Sequence, residues 1–318
     1  MALSFMKNFW QKLKKPILAL APMAGVTDSA FRQICKKYGA DVVYSEMISV
    51  DGLHYNSKKT FELLKFSKKE KPIVIQLFGK KPELFSQAAR IIGKNGADGI
   101  DINFGCPVPK IFKSGGGISL MRDLDLCHKI IKATCAVVKI PISIKIRSSI
   151  GKVTALDLVK KIKGLPVNAI MIHGRSYEQG FRGNVDLEAI KSVKRAFKGI
   201  VLGNGGIYSP GQAKLMLVKT GVDGIGLAQG VLGKPWLFKQ VKDYLAKGKF
   251  VEFNLNQIKK TALEHAALSY KLKGQKGIWE MRKHLAWYFK GFEGANVLRQ
   301  KLIKVDSLKE IKNILKDI

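Results

Sequence analysis

Cysteine, histidine and acid are scarce in this sequence, and each shortage closes off a class of protein. The four cysteines, Cys35, Cys106, Cys127 and Cys135, make no Cys-x-x-Cys pair and no cysteine–histidine ligand spacing. Neither a disulfide framework nor a metal site is expected, and free thiols suit a reducing, cytoplasmic setting. No apolar run approaches the ~18 residues needed to span a bilayer, so no membrane partner is expected. Lys12, Lys14 and Lys15 precede the apolar stretch Ile17–Ala21, which superficially matches a secretory leader. That stretch is short and runs straight into a Pro-Met-Ala-Gly turn, so a strand entering a domain explains it better. Acidic residues number 24 against 56 basic ones, a net charge of +32. Such an excess points to a polyanionic partner, and nucleic acid is the usual one. Lysine supplies 47 of the basic residues and arginine 9, a ratio that compositional bias also produces, since nucleic-acid recognition favours arginine. No basic tail stands apart from the rest.

What is present is a core-forming pattern. Hydrophobic residues make up 46% of the chain, enough to exclude global disorder. Short, β-branched, mostly non-alternating runs mark strands at Ile17–Ala21, Val42–Ser45, Ile73–Leu77, Gly99–Asn103, Ile142–Ile146, Ala169–His173, Ile200–Asn204 and Gly224–Leu227. Runs of this kind are buried on both faces. Amphipathic stretches lie between them, opened by Thr154 in one case and by Ser209–Pro210 in another. Eight strand–helix cycles predict an α/β fold, a (β/α)8 barrel, with a doubly wound open sheet as the alternative. After Trp236 the pattern is helical only, over Leu255–Lys273, Ile278–Phe292, Val297–Lys304 and Ser307–Asp317. The organisation read from this is a barrel over 1–240 and a small helical domain over 241–318.

The ends of the strands carry the chemistry. Met23, Glu46, Gln76, Asn103, Lys145, His173 and Asn204 fall at or just beyond the C-terminal ends of seven strands, where barrel enzymes keep their active sites. Cys106 sits between Gly105 and Pro107 in the loop after the fourth strand, placed either to react or to be a buried structural thiol. The other three cysteines lie on helical stretches with apolar neighbours and read as core. The GNGGI segment at Gly203–Ile207 and the Ala228–Gly230 turn follow the seventh and eighth strands, the usual phosphate cradle of barrel enzymes. Lys145 is placed to set a positive charge beside a cofactor ring, and His173 to hydrogen-bond cofactor or substrate. Arg282, Lys283, Trp287, Tyr288 and Lys290 interleave basic and aromatic groups, a pattern suited to RNA, although Trp287 by itself reads better as core.

Several of these segments carry a resemblance. APMAGVTDSAFR (Ala21–Arg32), SEM (Ser45–Met47), QLFG (Gln76–Gly79), DINFGCP with KSGGG and LMRD after it, IKIR (Ile144–Arg147), IHGRS (Ile172–Ser176), GNGGI and GKPW (Gly233–Trp236) resemble the tRNA-dihydrouridine synthase family. They occur in that family's order, and RKHLAWYFKG (Arg282–Gly291) is similar to the signature of its C-terminal helical domain. The resemblance implies FMN as cofactor, NADPH or NADH as reductant, tRNA as substrate and no protein partner. It implies hydride transfer from reduced flavin to carbon 6 of uracil and a proton from Cys106 to carbon 5. It assigns Pro22, Met23, Ala24, Gln76, Lys145, His173, Asn204, Gly205, Gly206, Ala228 and Gln229 to the cofactor. Asn103 is assigned to the uracil, and Lys110, Arg147, Arg175, Arg282 and Lys283 to the RNA. Gln229 departs from the arginine usual at its position in a phosphate turn. Two alternatives remain at this level: an FMN barrel acting on a small pyrimidine or enone, and an RNA-binding protein whose flavin site has decayed.

Overall fold

The computed structural model describes residues 8–318, so residues 1–7 of the expected barrel domain lie outside it. Its barrel strands are β1 (Ile17–Leu20), β2 (Val42–Ser49), β3 (Ile73–Phe78), β4 (Gly99–Phe104), β5 (Ile142–Arg147), β6 (Val167–His173), β7 (Ile200–Asn204) and β8 (Gly224–Leu227). All pair in parallel in sequence order, and β1 pairs with both β2 and β8, which closes the barrel and excludes the open sheet. Helices connect the strands on the outside, and further helices follow at the C-terminus.

The non-alternating strand pattern follows from burial on both faces. Inward residues, among them Ile17, Ala19, Val42, Tyr44, Val74, Ala169, Met171, Ile200 and Leu202, fill the lumen together with Trp10. Trp10 belongs to the short 3-10 turn Phe9–Lys12, whose Phe9 lies against Gly99 at the start of β4. Outward residues such as Leu18, Leu20, Ile73, Ile75, Ile100 and Ile144 pack under the helices.

Helix starts match their sequence signals. Thr154 forms a capping box with Asp157, and Ser209 accepts a hydrogen bond from Gln212 N–H. Ser307 accepts from Glu310 N–H, while the Glu310 carboxylate reaches back to Asp306 N–H instead of Ser307 N–H. The helix Leu237–Lys247 buries Leu237, Phe238 and Val241 against the barrel, and position 240 falls inside it. Beyond it, helices Leu255–Lys273, Gln275–Tyr288, Ala295–Leu302 and Leu308–Lys316 build a second core around Ala262, Ala266, Met281, Leu285 and Phe289. The helix expected to reach Phe292 stops at Tyr288, where Phe289 leaves helical geometry and Gly291 adopts a positive φ.

This second core docks on the first barrel helix, Ser29–Lys37. Lys273 pairs with that helix's N-cap, Asp28, at 2.6 Å and with Glu280 at 2.5 Å. The Phe31 ring lies 5.5 Å from His265 and 5.2 Å from His284. Burial pushes His265 down to about 4, so the contact is between neutral rings at neutral pH. Among the described residues no helix is long and apolar enough to cross a membrane.

Candidate active site

A cavity of about 370 Å³ opens at the C-terminal ends of the strands. Pro22, Met23, Ala24, Gln76, Asn103, Cys106, Lys145, Arg147, His173, Arg175, Asn204, Gly205, Gly206, Ala228 and Gln229 all line it. Parallel register brings them together: Asn103 pairs with Lys145 across β4–β5, Arg147 with His173 across β5–β6, and His173 with Asn204 across β6–β7. Lys110, Arg282 and Lys283 are not in the wall. Lys110 is exposed on the short helix Pro109–Lys113 just past Cys106. Lys283 Nζ reaches the outside of the Pro22–Val26 turn at Gly25. Arg282 turns toward the tail, donating to Val305 O at 2.9 Å and to Asp306 Oδ1 at 2.5 Å. Glu46 also stays out of the cavity, accepting from Gly25 N–H behind it.

Trp287 corrects the sequence reading: it is half-buried and forms part of the cavity wall, while its neighbour Tyr288 is buried in the tail core. A helical period places residues on faces but does not say which face meets a second domain. Met47, Phe181 and Tyr208 also line the wall, without having been marked by the strand-end pattern. Tyr208 had a signal, since it directly follows the GNGGI segment; Phe181 lies in a loop with none.

The Cys106 loop is held from three sides. Asn103 Oδ1 accepts from Gly105 N–H at 3.0 Å and from Cys106 N–H at 2.8 Å. Cys106 O accepts from Ile118 N–H at 3.1 Å. Gly117, at φ +62°, lies so close that a Cβ there would sit 2.7 Å from Cys106 O, which is why the KSGGG run ends on glycine at this point. Arg147 Nε donates to Gly105 O at 3.0 Å, and its Nη1 donates to Ser176 O at 2.9 Å and Gly180 O at 2.6 Å. Arg147 thus ties the Cys106 loop to the loop carrying Phe181, whose ring lies 5.3 Å from the guanidinium. Burial pushes the Cys106 thiol above its ordinary value, outweighing the Val108 N–H and the Lys145 and Arg147 charges that favour thiolate. At neutral pH it carries its proton.

The cations around it are desolvated. Burial, with Arg147 second, pushes Lys145 down to about 8, and its ammonium has no hydrogen-bond partner among the described residues. Burial and the Lys145, Arg147 and Arg175 charges push His173 down to about 2, so its imidazole is neutral. Arg175 Nη1 lies 3.4 Å from His173 Nε2, which makes Nε2 the acceptor and leaves the proton on Nδ1.

The β7 and β8 loops supply backbone donors. Gly205 and Gly206 adopt φ of +105° and +68°, and a Cβ on Gly205 would lie 2.3 Å from His173 Cδ2. Among the described residues the N–H groups of Gly205, Gly206, Gln229 and Gly230 have no acceptor in the protein. Unpaired N–H groups on two rim loops that line one cavity suit an oxyanion. Gln229 is exposed, and its Oε1 accepts from the Tyr208 hydroxyl at 2.9 Å.

The family described as Dihydrouridine synthase (Dus) matches residues 19–318. The chain belongs to that family. It is 34% identical over 299 residues to a probable tRNA-dihydrouridine synthase 1 of Synechocystis sp., spanning 93% of this chain and 84% of that one. It is 35% identical over 275 residues to tRNA-dihydrouridine synthase B of Shewanella oneidensis, spanning 85% of each. Among solved structures it is similar to histamine dehydrogenase from Rhizobium sp., with TM-score 0.55 and 14% identity over 79% of this chain and 48% of that one. It is similar also to morphinone reductase, with TM-score 0.50 and 13% identity over 78% of this chain and 92% of that one. At these identities the two structures bear on the barrel fold alone. The family membership makes the chain an enzyme, an oxidoreductase of the tRNA-dihydrouridine synthase type.

Proposed function

We propose that the protein reduces uridines of tRNA to 5,6-dihydrouridine in the cytoplasm, with FMN in the rim cavity and NADPH or NADH as reductant. The observation that carries this reading is a protonated cysteine sharing one cavity with an unpartnered lysine and a cradle of unpaired N–H groups. Those residues fit FMN: the Gly205–Gly206 and Gln229–Gly230 donors suit its phosphate, with Pro22, Met23, Ala24, Gln76, His173, Asn204 and Ala228 around the rest. Lys145 suits the electron-rich part of the ring system. When bound, reduced FMN supplies a hydride for carbon 6 of the uracil ring.

The protein's own part is to place the ring and supply the proton. The Cys106 Sγ–H gives its proton to carbon 5 as the carbon 5–carbon 6 double bond is lost, and the sulfur is left as thiolate. Lys145 and Arg147 stabilise that thiolate, since their charges act on Cys106 in this direction. Asn103 spends its Oδ1 on the Cys106 loop and one Nδ2 hydrogen on Gln76; the other meets only Met47 Sδ at 3.8 Å and is available to a uracil carbonyl. A uridine must leave the tRNA stack to reach this depth. Residues 241–318, with Lys283, and the rim cations Lys110 and Arg175 would hold the RNA by shape and phosphate contacts, while Arg282 is engaged by Val305 O and Asp306.

The test is reconstitution. Purified protein should be yellow, release FMN on denaturation and, with NADPH and unmodified tRNA, yield dihydrouridine detectable by nucleoside mass spectrometry. Colourless protein that neither binds added FMN nor forms the product would refute the reading.

A further inference from the structure

Beneath the cavity floor lies a carboxylate with no part in the chemistry so far. Asp101 on β4 is fully buried, one inward position below Asn103 on the same strand. Its Oδ1 accepts from Ser143 Oγ at 2.6 Å, and its Oδ2 accepts from Gln76 Nε2 at 2.7 Å. Gln76 Oε1 then accepts from Asn103 Nδ2 at 3.0 Å. Asn103 Oδ1, turned the other way, accepts from the N–H groups of Gly105 and Cys106. The chain runs from a buried carboxylate through two amides to the loop that carries the cysteine.

An amide has a donor end and an acceptor end, so a row of amides has a polarity that some member must impose. An ionised carboxylate only accepts. Facing Asp101, Gln76 must present its NH2 downward and its oxygen upward; facing that oxygen, Asn103 must present its NH2 sideways and its oxygen to the loop. Reversing either amide would set two acceptors against each other in a buried site. We propose that Asp101 is a positioning residue which, acting through Gln76 and Asn103, sets the orientation of both amides and so holds the Cys106 loop in place. The structure also explains why this acid is tolerated there. Burial pushes it up to about 6, with the Ser143 and Gln76 hydrogen bonds and the Lys145 charge opposing that shift, and the test below is set at pH 8, above this value. The proposal deepens the reading of Cys106 as the acid, but its test does not depend on that reading.

The test reverses the polarity with substitutions of nearly unchanged shape. Asn103→Asp alone places a carboxylate against Gln76 Oε1, and Gln76 cannot turn because Asp101 lies behind it. The loop hold weakens, and exchange of the Gly105 and Cys106 amide hydrogens, measured at pH 8 by NMR or mass spectrometry, speeds up about tenfold or more. Asp101→Asn alone still offers an acceptor to Gln76 and should speed exchange less than about threefold. In the double variant every amide turns together: Asn at 101 donates to Gln76, Gln76 donates to Asp at 103, and the loop N–H groups keep their acceptor. Exchange should return to within about threefold of the parent, although two substitutions now stand in one site. A merely structural Asp101 predicts effects that multiply. Asn103→Asp with unchanged exchange, or a double variant exchanging as fast as Asn103→Asp, would overturn the proposal. The readout needs neither flavin turnover nor tRNA, so it stands even if dihydrouridine is never formed.

Discussion

Removing the Lys145 charge should make the flavin-free protein more stable while disabling it. Its pKa of about 8 in the fold lies below the ordinary 10.5, with burial the largest cause. For a base, a folded value below the unfolded one means that the native state resists the proton. Holding the ammonium charged at pH 7 therefore costs the fold about 3 kcal/mol at full burial. Allowing for solvent that reaches the open cavity brings this to about 2 kcal/mol. Lys145→Met keeps the length and removes the charge, so its flavin-free form should gain about 2 kcal/mol at pH 7 in urea unfolding. The pH dependence supplies the sign check. Between pH 8 and 10.5 the unfolded chain holds a proton that the native lysine has lost, so parental stability rises through that window. The advantage of Lys145→Met should shrink over the same range and vanish above it. With reduced FMN bound the order should reverse, since the variant cannot meet the negative charge that the ring gains on reduction. A variant no more stable than the parent at pH 7, or one whose difference does not change with pH, would refute the argument that this lysine is held at a cost.

Two further substitutions probe the cofactor cradle. Gly205→Ala forces a side chain into φ +105° and against the buried His173 ring; it should cost about 2–4 kcal/mol of stability and release FMN, measured by urea unfolding and by flavin fluorescence after gel filtration. Gln229→Arg gives up the Tyr208 hydrogen bond and adds a guanidinium beside the Gly230 N–H; FMN should bind about tenfold tighter by fluorescence titration, and unchanged affinity would mean that backbone donors alone hold the phosphate.

Much of the barrel could be read from the sequence because burial on both faces writes itself into unbroken apolar runs. All eight strands lie where those runs fall, and Thr154 and Ser209 cap helices as their sequence signals predict. What stayed hidden depends on neighbours brought from elsewhere. In the sequence, the polar Ser-Glu pair at Ser45–Glu46 marks an end for β2. The pairing instead shifts between Tyr44 and Met47, and the strand continues to Ser49, carrying Met47 to the cavity. Asp101 lies in a run read as an ordinary strand, and nothing local shows that Gln76 and Ser143 would meet it on either side. The resemblance assigns Arg147 to the RNA, yet three carbonyls from two loops occupy its guanidinium. Such a role appears only when the loops are seen together. Motif residues at strand ends were legible; the groups that orient them were not.

The proposed reaction turns on the proton of Cys106, and Cys106→Ala isolates it. With FMN bound, the variant should be reduced by NADPH at close to the parental rate and bind tRNA with similar affinity. Its dihydrouridine formation in single turnover should fall by about 10²–10⁴-fold, the usual contribution of a positioned acid. Parental product formation by Cys106→Ala would contradict the assignment and move the proton donor elsewhere in the cavity.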